Sequence, residues 1–510
     1  MKFIIGIDIG TTSTKAVLYG LDGSVHGKYS QGYELYKPKI DIAEQKVEDI
    51  YQAVIESLRK CIHESGVDSK QIQGISFSAA MHSLMIMDSA MRPLTNVITW
   101  ADNRAHFYSE SLKKSKEGQD IYERTGTPIH PMSPLAKLLW MRNEYPALLS
   151  KNHFICGIKE YLFYRFFGDF VMDESIASAT GLYNLKTRQW DTKALQLVGI
   201  CEDQLPRLVS VTTTFQGIDK QLAQYIGISP QTPFIIGASD GVLSNLGVDA
   251  IHNEIAITIG TSAAVRTVVS QPVTDHKGRL FCYVLDDEHW VLGGPINNGG
   301  IVFQWVRDQL FTPEKQTAEQ MRMNSYDLLT KIASHIPAGA DGLIFLPFLG
   351  GERAPLWDAN ARGTFFGLTH HHTRDHMLRS ALEGIVFNLY TVLLAIEEVT
   401  DIPKSIKATG GFARSELWKQ MLADIFEIPV EVPKHFESSC LGAAVIGMKA
   451  LGLISSIDEV NQMVGITSIC LPNEDNFEVY RQLMPIYIRL SRTLNGEYDA
   501  IAEFQRKFIH

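Results

Sequence analysis

At 510 residues the chain has room for about two to four domains, each with a substantial core. Its composition, 45% hydrophobic and 20% charged with no biased tract, is that of a globular protein and excludes a fibrous or disordered chain. A formal net charge of −10 argues against a nucleic-acid surface, so an anionic ligand must meet locally placed cations. The six cysteines form no Cys-x-x-Cys pair and read as reduced thiols of a cytoplasmic protein. The N-terminus lacks the charged and apolar regions of a signal peptide, and no run approaches about 18 uninterrupted apolar residues, so no membrane partner is expected.

The first element is a hairpin. Phe3 to Ile9 is an apolar, β-branched strand interrupted only by Gly6 and Asp8, and Ala16 to Tyr19 returns at once. Between them Gly10 permits a tight turn, while Thr11, Thr12 and Ser13, with Lys15 just beyond, offer hydroxyls, N–H groups and one cation to an anion. The chain contains neither the Walker nor the Rossmann glycine spacing. The hairpin therefore reads as a phosphate grip with Asp8 facing a metal, the alternative being an ordinary hairpin with an acid at its end.

Asp22-Gly23 marks a turn, and Val25 to Tyr33 supplies a third strand. Lys46 to Glu64 is an amphipathic helix, with Val47, Ile50, Tyr51, Val54, Ile55, Leu58, Cys61 and Ile62 on one stripe. Ile72 to Phe77 comes next as a strand. Three strands, a helix and a strand predict an α/β domain with a mixed sheet.

Further along, Pro233 to Ser239 is an apolar run ending in Asp240-Gly241. An acid at the carboxyl end of such a strand faces the ligand crevice of an open α/β sheet, although Ser239 or Asp240 could equally cap a helix beginning near Val242. The opening motif then recurs: Ile7-Asp-Ile-Gly-Thr-Thr-Ser13 lies over Ile257-Thr-Ile-Gly-Thr-Ser-Ala263, followed by strands at Ala264–Val269, Leu280–Leu285 and His289–Leu292 and a helix from about Ile301. This is an internal duplication. It divides the chain into domains 1–249 and 250–510, facing each other across a cleft and each contributing one phosphate-gripping hairpin. Thr258 stands where the first copy has Asp8, so one half alone carries the metal-facing carboxylate. Ile406 to Phe412 is a strand ending in Gly410-Gly411, where a flat ligand can approach the backbone, and the next helix carries Leu417, Met421, Leu422, Ile425 and Phe426 on one face. Tyr480 to Leu494 is helical and structural.

Two longer stretches carry a family resemblance. Met132-Ser-Pro-Leu-Ala-Lys-Leu-Leu-Trp-Met-Arg-Asn-Glu144 resembles the first signature of the FGGY family of carbohydrate kinases. Gly363-Thr-Phe-Phe-Gly-Leu368, continuing through His376 to Glu383, resembles the second. The resemblance implies two ribonuclease-H-like domains of the actin/hexokinase ATPase type flanking a deep cleft, closing over MgATP and a sugar or polyol. It places Asp240 as the catalytic base, and Asp8 and Asp240 as the carboxylates facing Mg²⁺. It puts Thr11, Thr12, Ser13 and Lys15 on the first phosphate loop and Gly260, Thr261 and Ser262 on the second, with Gly300, Gln304, Gly411 and Ser415 as further nucleotide contacts.

For the acceptor, the resemblance points to Met81, His82, Trp100 and Asp240, and the run Thr127-Pro-Ile-His-Pro-Met132 looks most like the gluconate kinases of the family. A substrate carboxylate needs a cation or N–H donors, for which His82, Arg104, His130 and Lys159 are the candidates. The expectation is therefore an ATP-dependent, cytoplasmic sugar-acid kinase with no nucleic-acid or membrane partner and a homodimer as the assembly to test. Xylulose or another polyol is the alternative acceptor, and an actin-like ATPase without a metabolic substrate is the remote one.

Overall fold

The fold is described from a computed structural model covering residues 2–39, 41–434 and 437–508. The chain forms two compact units: residues 1–251 with 268–292 and 437–465, and residues 252–267 with 293–436 and 466–510.

The six-stranded sheet of the first unit contains β1 (Phe3–Ile9), β2 (Ser13–Gly20), β3 (Val25–Gly32), β4 (Ile72–Ala79), β5 (Thr214–Phe215) and β6 (Phe234–Ser239), in the order β5-β6-β4-β1-β2-β3. β1 and β2 form the antiparallel hairpin, β4 runs parallel to β1, and β6 parallel to β4. Side chains alternate across a strand, and β1 uses both faces. Phe3, Ile5, Ile7 and Ile9 join a buried cluster with the stripe of helix Val47–Ser65. Ile4 joins another with Cys440, Leu441 and Ala444 of helix Ser438–Ala450. That helix reaches β1 because Gly6 has no side chain: a Cβ there would lie 1.9 Å from the Cys440 carbonyl oxygen. Asp8 is half-buried, and the other six residues of β1 are buried.

The second sheet contains β7 (Glu254–Ile259), β8 (Ala263–Val269), β9 (Trp290–Ile296), β10 (Ser405–Thr409), β11 (Val430–Pro433) and β12 (Ile466–Cys470). Their order is β9-β8-β7-β10-β11-β12, and a seventh strand, Phe281–Val284, borders β9 on its outer side. The hairpin β7–β8 is antiparallel, β10 is parallel to β7, β11 is parallel to β10, and β12 closes antiparallel to β11. In the first sheet β5 likewise closes antiparallel to β6. Apart from the outer strand Phe281–Val284, the six strands of each sheet share one order and, where paired, one set of directions. The duplication read from seven residues thus extends through both sheets.

Helix Arg374–Glu397 is long and apolar enough to cross a membrane by length and composition, but 78% of its apolar window is buried in the protein. It also holds a buried ion pair, Arg379 to Glu383 at 2.7 Å, which Tyr480 completes by donating to the same carboxylate at 2.9 Å. It is a core helix.

Candidate active site

The first constellation lies at the carboxyl ends of β1, β4 and β6, where open α/β sheets hold their ligands. Asp8 pairs in register with Ser78 of β4, and the Ser78 hydroxyl donates to Asp8 Oδ1 at 2.6 Å. Burial pushes the Asp8 carboxyl above its usual range; the Ser78 hydrogen bond and the Lys15 charge oppose this. The same positions in the second copy are Thr258 and Thr409, whose hydroxyls are 2.9 Å apart. The duplication thus keeps a hydrogen-bonded cross-strand pair while the acid is present in one copy. Lys15 is held by Glu437 at 2.5 Å, a partner its sequence position did not suggest.

The turn between β1 and β2 has its carbonyls tied back. Tyr33 donates its hydroxyl to Gly10 O at 2.6 Å and its N–H to Thr12 O at 3.0 Å, and Gln45 donates to Thr11 O at 2.7 Å. This anchors the loop while Thr12 is exposed and Thr11 and Ser13 are half-buried, a geometry suited to an anion.

Asp240 opens helix Asp240–Leu246 directly after β6 and accepts from Gly241 N–H at 2.7 Å. The helix therefore begins two residues earlier than the position near Val242 read from sequence. The capping alternative fails in part, because Ser239 makes no side-chain cap bond. Asp8 and Asp240 stand at the ends of strands separated by β4, about 10 Å across the sheet at two strand spacings.

Around these acids the loop after β4 carries Met81 and His82. His82 is buried and adopts φ 68°, a left-handed conformation that a non-glycine residue keeps only when its surroundings impose it. Its Nδ1 lies 2.8 Å from Ala179 O, and its carbonyl accepts from Lys137 Nζ at 2.6 Å. Lys137, from the first signature, has no exposed surface and donates also to Met132 O at 2.8 Å; burial pushes its ammonium down to about 7. Trp100 Nε1 donates to Thr11 Oγ1 at 2.9 Å, tying it to the turn between β1 and β2. Of the four cations considered for a carboxylate, Arg104 is bound by Asp102 and Glu44 and stacks on Trp140, and Lys159 is buried against Asp173. Both already have anionic partners. His130 Nδ1 accepts from Met132 N–H at 3.2 Å.

The second hairpin lines a pocket of about 350 Å³ within the second unit. Gly260, Thr261, Gly300, Gln304, Gly411 and Ser415, scattered over 156 positions of sequence (415 less 260, inclusive), converge on it. Ser262 closes the same turn, its carbonyl accepting from Gly260 N–H at 2.9 Å, while Gly300 N–H donates to Gly260 O at 2.8 Å. Gly410 has φ 105°, and a Cβ there would meet Ile259 O at 2.2 Å; Gly411 faces open space. Sequence reading missed the aromatic wall of Phe303, Tyr326, Phe412 and Trp418. Tyr326 sits in helix Ser325–Ala333, which no motif marks, so only folding brings it to the turn.

A duplicated sheet with a Gly-Thr hairpin in each half and an acid at the end of a parallel strand fits the two-domain fold of the actin/hexokinase class. Comparison with known proteins sharpens this. Residues 3–247 match the N-terminal domain and residues 255–451 the C-terminal domain of the FGGY family of carbohydrate kinases, and the chain belongs to that family. It is 53% identical over 510 residues to the gluconokinase of Bacillus subtilis, covering 100% of this chain and 99% of that one. Two solved structures from Lactobacillus acidophilus are similar, each 40% identical over 98% of this chain. One is a ligand-bound xylulose kinase (TM-score 0.93, 100% of that chain) and the other a gluconate kinase (TM-score 0.92, 99% of that chain). The protein is a carbohydrate kinase.

Proposed function

We propose that the protein transfers the γ-phosphoryl group of ATP to the terminal hydroxyl of D-gluconate, giving 6-phosphogluconate and ADP. The observation that carries this reading is the 53% identity, over the entire chain, to a gluconokinase. In this reading residues 1–249 supply the acceptor side and the base, and residues 250–510 the adenosine side. The aromatic-walled pocket is of a size to take a nucleoside, and Gly260, Thr261 and Ser262 cradle its phosphates. Thr11, Thr12, Ser13 and Lys15 contact the transferring end, and Met81, His82 and Trp100 contact the acceptor.

The Asp240 carboxylate takes the proton of the attacking hydroxyl as its oxygen bonds to the γ-phosphorus and the bond to the β-phosphate oxygen breaks. Such transfer needs positioning and charge neutralisation more than covalent help. Mg²⁺ suits the donors present. Among the described residues no group of three or more His, Cys, Asp or Glu forms a metal cage, whereas Asp8 and Asp240 offer the one or two hard carboxylates that Mg²⁺ uses beside water and phosphate. When bound, the ion would neutralise phosphate charge. Six free thiols suit a cytoplasmic setting.

A coupled assay of ADP release across a polyol panel tests the assignment. Gluconate is expected to exceed xylulose and glycerol in kcat/KM by at least about tenfold, roughly 1.4 kcal/mol of transition-state binding. Preference for xylulose would overturn the acceptor, and acceptor-independent ATP turnover coupled to polymerisation would restore the actin-like alternative. Asp240→Asn is expected to abolish turnover and retain ADP binding.

A further inference from the structure

The end of β6 is not fixed by its ladder alone. Its pairing with β4 slips register between Ile235 and Ala238. Gly237 at the slip has φ 65° and lies so close to β4 that a Cβ would meet Phe77 O at 1.8 Å. A bulge of this kind bends a strand and re-aims the residues beyond it. Here those residues are Ala238, Ser239 and Asp240.

Two buried arms hold this short stretch. Lys159 Nζ, on helix Ile158–Phe167, donates to Ala238 O at 3.1 Å. The Ser175 hydroxyl, on helix Glu174–Ser178, accepts from Ser239 N–H at 3.2 Å and lies 3.2 Å from Ser239 Oγ, to which it donates. Both arms trace to one carboxylate. Asp173 pairs with Lys159 Nζ at 2.7 Å through Oδ2, and its Oδ1 accepts from Ile176 N–H at 3.0 Å, capping the helix that bears Ser175. Lys159, Asp173, Ser175 and Ser239 are all at most 1% exposed. Helix Ser438–Ala450 adds a contact beyond the acid, Ser439 Oγ donating to Asp240 O at 3.2 Å.

We infer that Lys159, Asp173 and Ser175 are positioning residues for Asp240, an anchored frame that fixes the backbone just past the bulge and so aims the base. The inference rests on the reading of Asp240 as the base. A buried ion pair is weak evidence for stability, since well-packed apolar residues often serve as well. Its directed hydrogen bonds are what an apolar pair would not supply. Displacement of a reacting group by about 1 Å costs on the order of 100-fold in rate, so loss of the frame falls on turnover. Glu160 is the neighbouring buried acid: burial, followed by the charge of Asp173, pushes its carboxyl up to about 7, and burial also raises the Asp173 carboxyl against the opposing charge and hydrogen bond of Lys159.

The test uses the full chain with Ser175→Ala, the double variant Lys159→Met/Asp173→Leu, which removes both charges together, and Asp240→Asn. Active sites are counted by ADP binding, and kcat per ADP site is compared with KM for gluconate and ATP. The expected result is a fall in kcat per site of about 30-fold or more in Ser175→Ala and in the double variant, with both KM values within about threefold of wild type. Wild-type kcat per site in both would overturn the frame. So would a loss of activity that only tracks lost ADP sites or lost cooperative melting, which marks a merely structural role. Near-wild-type turnover in Asp240→Asn would instead refute the base and the inference with it; an inactive Asp240→Asn beside fully active frame variants refutes the frame alone.

Discussion

Replacing Lys137 by Met removes an ammonium of similar length and leaves the shape of its site. Its nitrogen has two carbonyl acceptors, His82 O at 2.6 Å and Met132 O at 2.8 Å, and no exposed surface. Burial lowers its pKa to about 7; Asp102 opposes this and Arg104 adds to it. Because the folded pKa lies below the unfolded value of about 10.4, the unfolded chain holds a proton between these limits that the folded chain lacks, and stability rises with pH. Integrating the linkage between about pH 7.5 and about pH 9.5 gives a wild-type gain of about 2.5 kcal/mol from this group. Lys137→Met has no such group. It loses two hydrogen bonds, leaving carbonyls that cost about 1–3 kcal/mol each, but no longer has to shed a proton on folding. The two effects offset near pH 7.5, and the variant becomes the less stable protein as pH rises. Urea unfolding at both pH values, followed by tryptophan fluorescence, is expected to show the stability difference between wild type and variant widening by about 2.5 kcal/mol. A difference constant within about 0.5 kcal/mol would refute the reasoning, since Lys137 would then stay protonated in the fold. The same variant frees the His82 carbonyl, so KM for the acceptor is expected to rise while ADP binding in the other unit is unchanged.

The geometry carries three further expectations. Gly410→Ala places a Cβ 2.2 Å from Ile259 O beside the aromatic-walled pocket proposed for the nucleotide and is expected to weaken ADP binding by at least about tenfold and lower the melting temperature. Its companion Gly411→Ala, whose Cβ would meet nothing within 4 Å of protein, is expected to weaken ADP binding with little change in melting; calorimetry and thermal scans on the pair separate the two. Glu383→Ala strips Arg379, 5% exposed, of its carboxylate and is expected to cost about 3–5 kcal/mol in urea unfolding. Asp8→Asn is expected to raise the Mg²⁺ concentration needed for half-maximal turnover, read by titration at saturating ATP and gluconate.

Much of the plan was legible because it is local. The hairpin Phe3 to Gly20 arises from two apolar β-branched runs around Gly10, and the helix Val47–Ser65 from its stripe and the Gly66 stop. The repeat of Ile-Gly-Thr announced the second sheet, because both sheets need the same tight turn after the same buried strand. The place of Asp240 just past the end of β6 was legible because a strand end followed by an acid and a glycine is a short-range pattern. Its helix starts at Asp240, two residues before the position near Val242 read from sequence; Ser239 sits at the N-cap position, but its hydroxyl bonds Ser175 and not the helix.

What chain order could not supply was decided by long-range packing. Lys159 was a candidate for a substrate carboxylate by charge and position, yet its partner Asp173 and its acceptor Ala238 O are fixed only when a helix, the short strand Val171–Asp173 and β6 meet. Glu437 reaches Lys15 across 422 positions. Phe303, Tyr326 and Trp418 meet around one pocket from three helices. The sequence by itself determined the repeated sheet, its turns and its acids, because these depend on neighbours along the chain. The tertiary structure alone decided which charges are spent inside the protein and which walls enclose a ligand, because burial and pairing energies depend on what folding brings near.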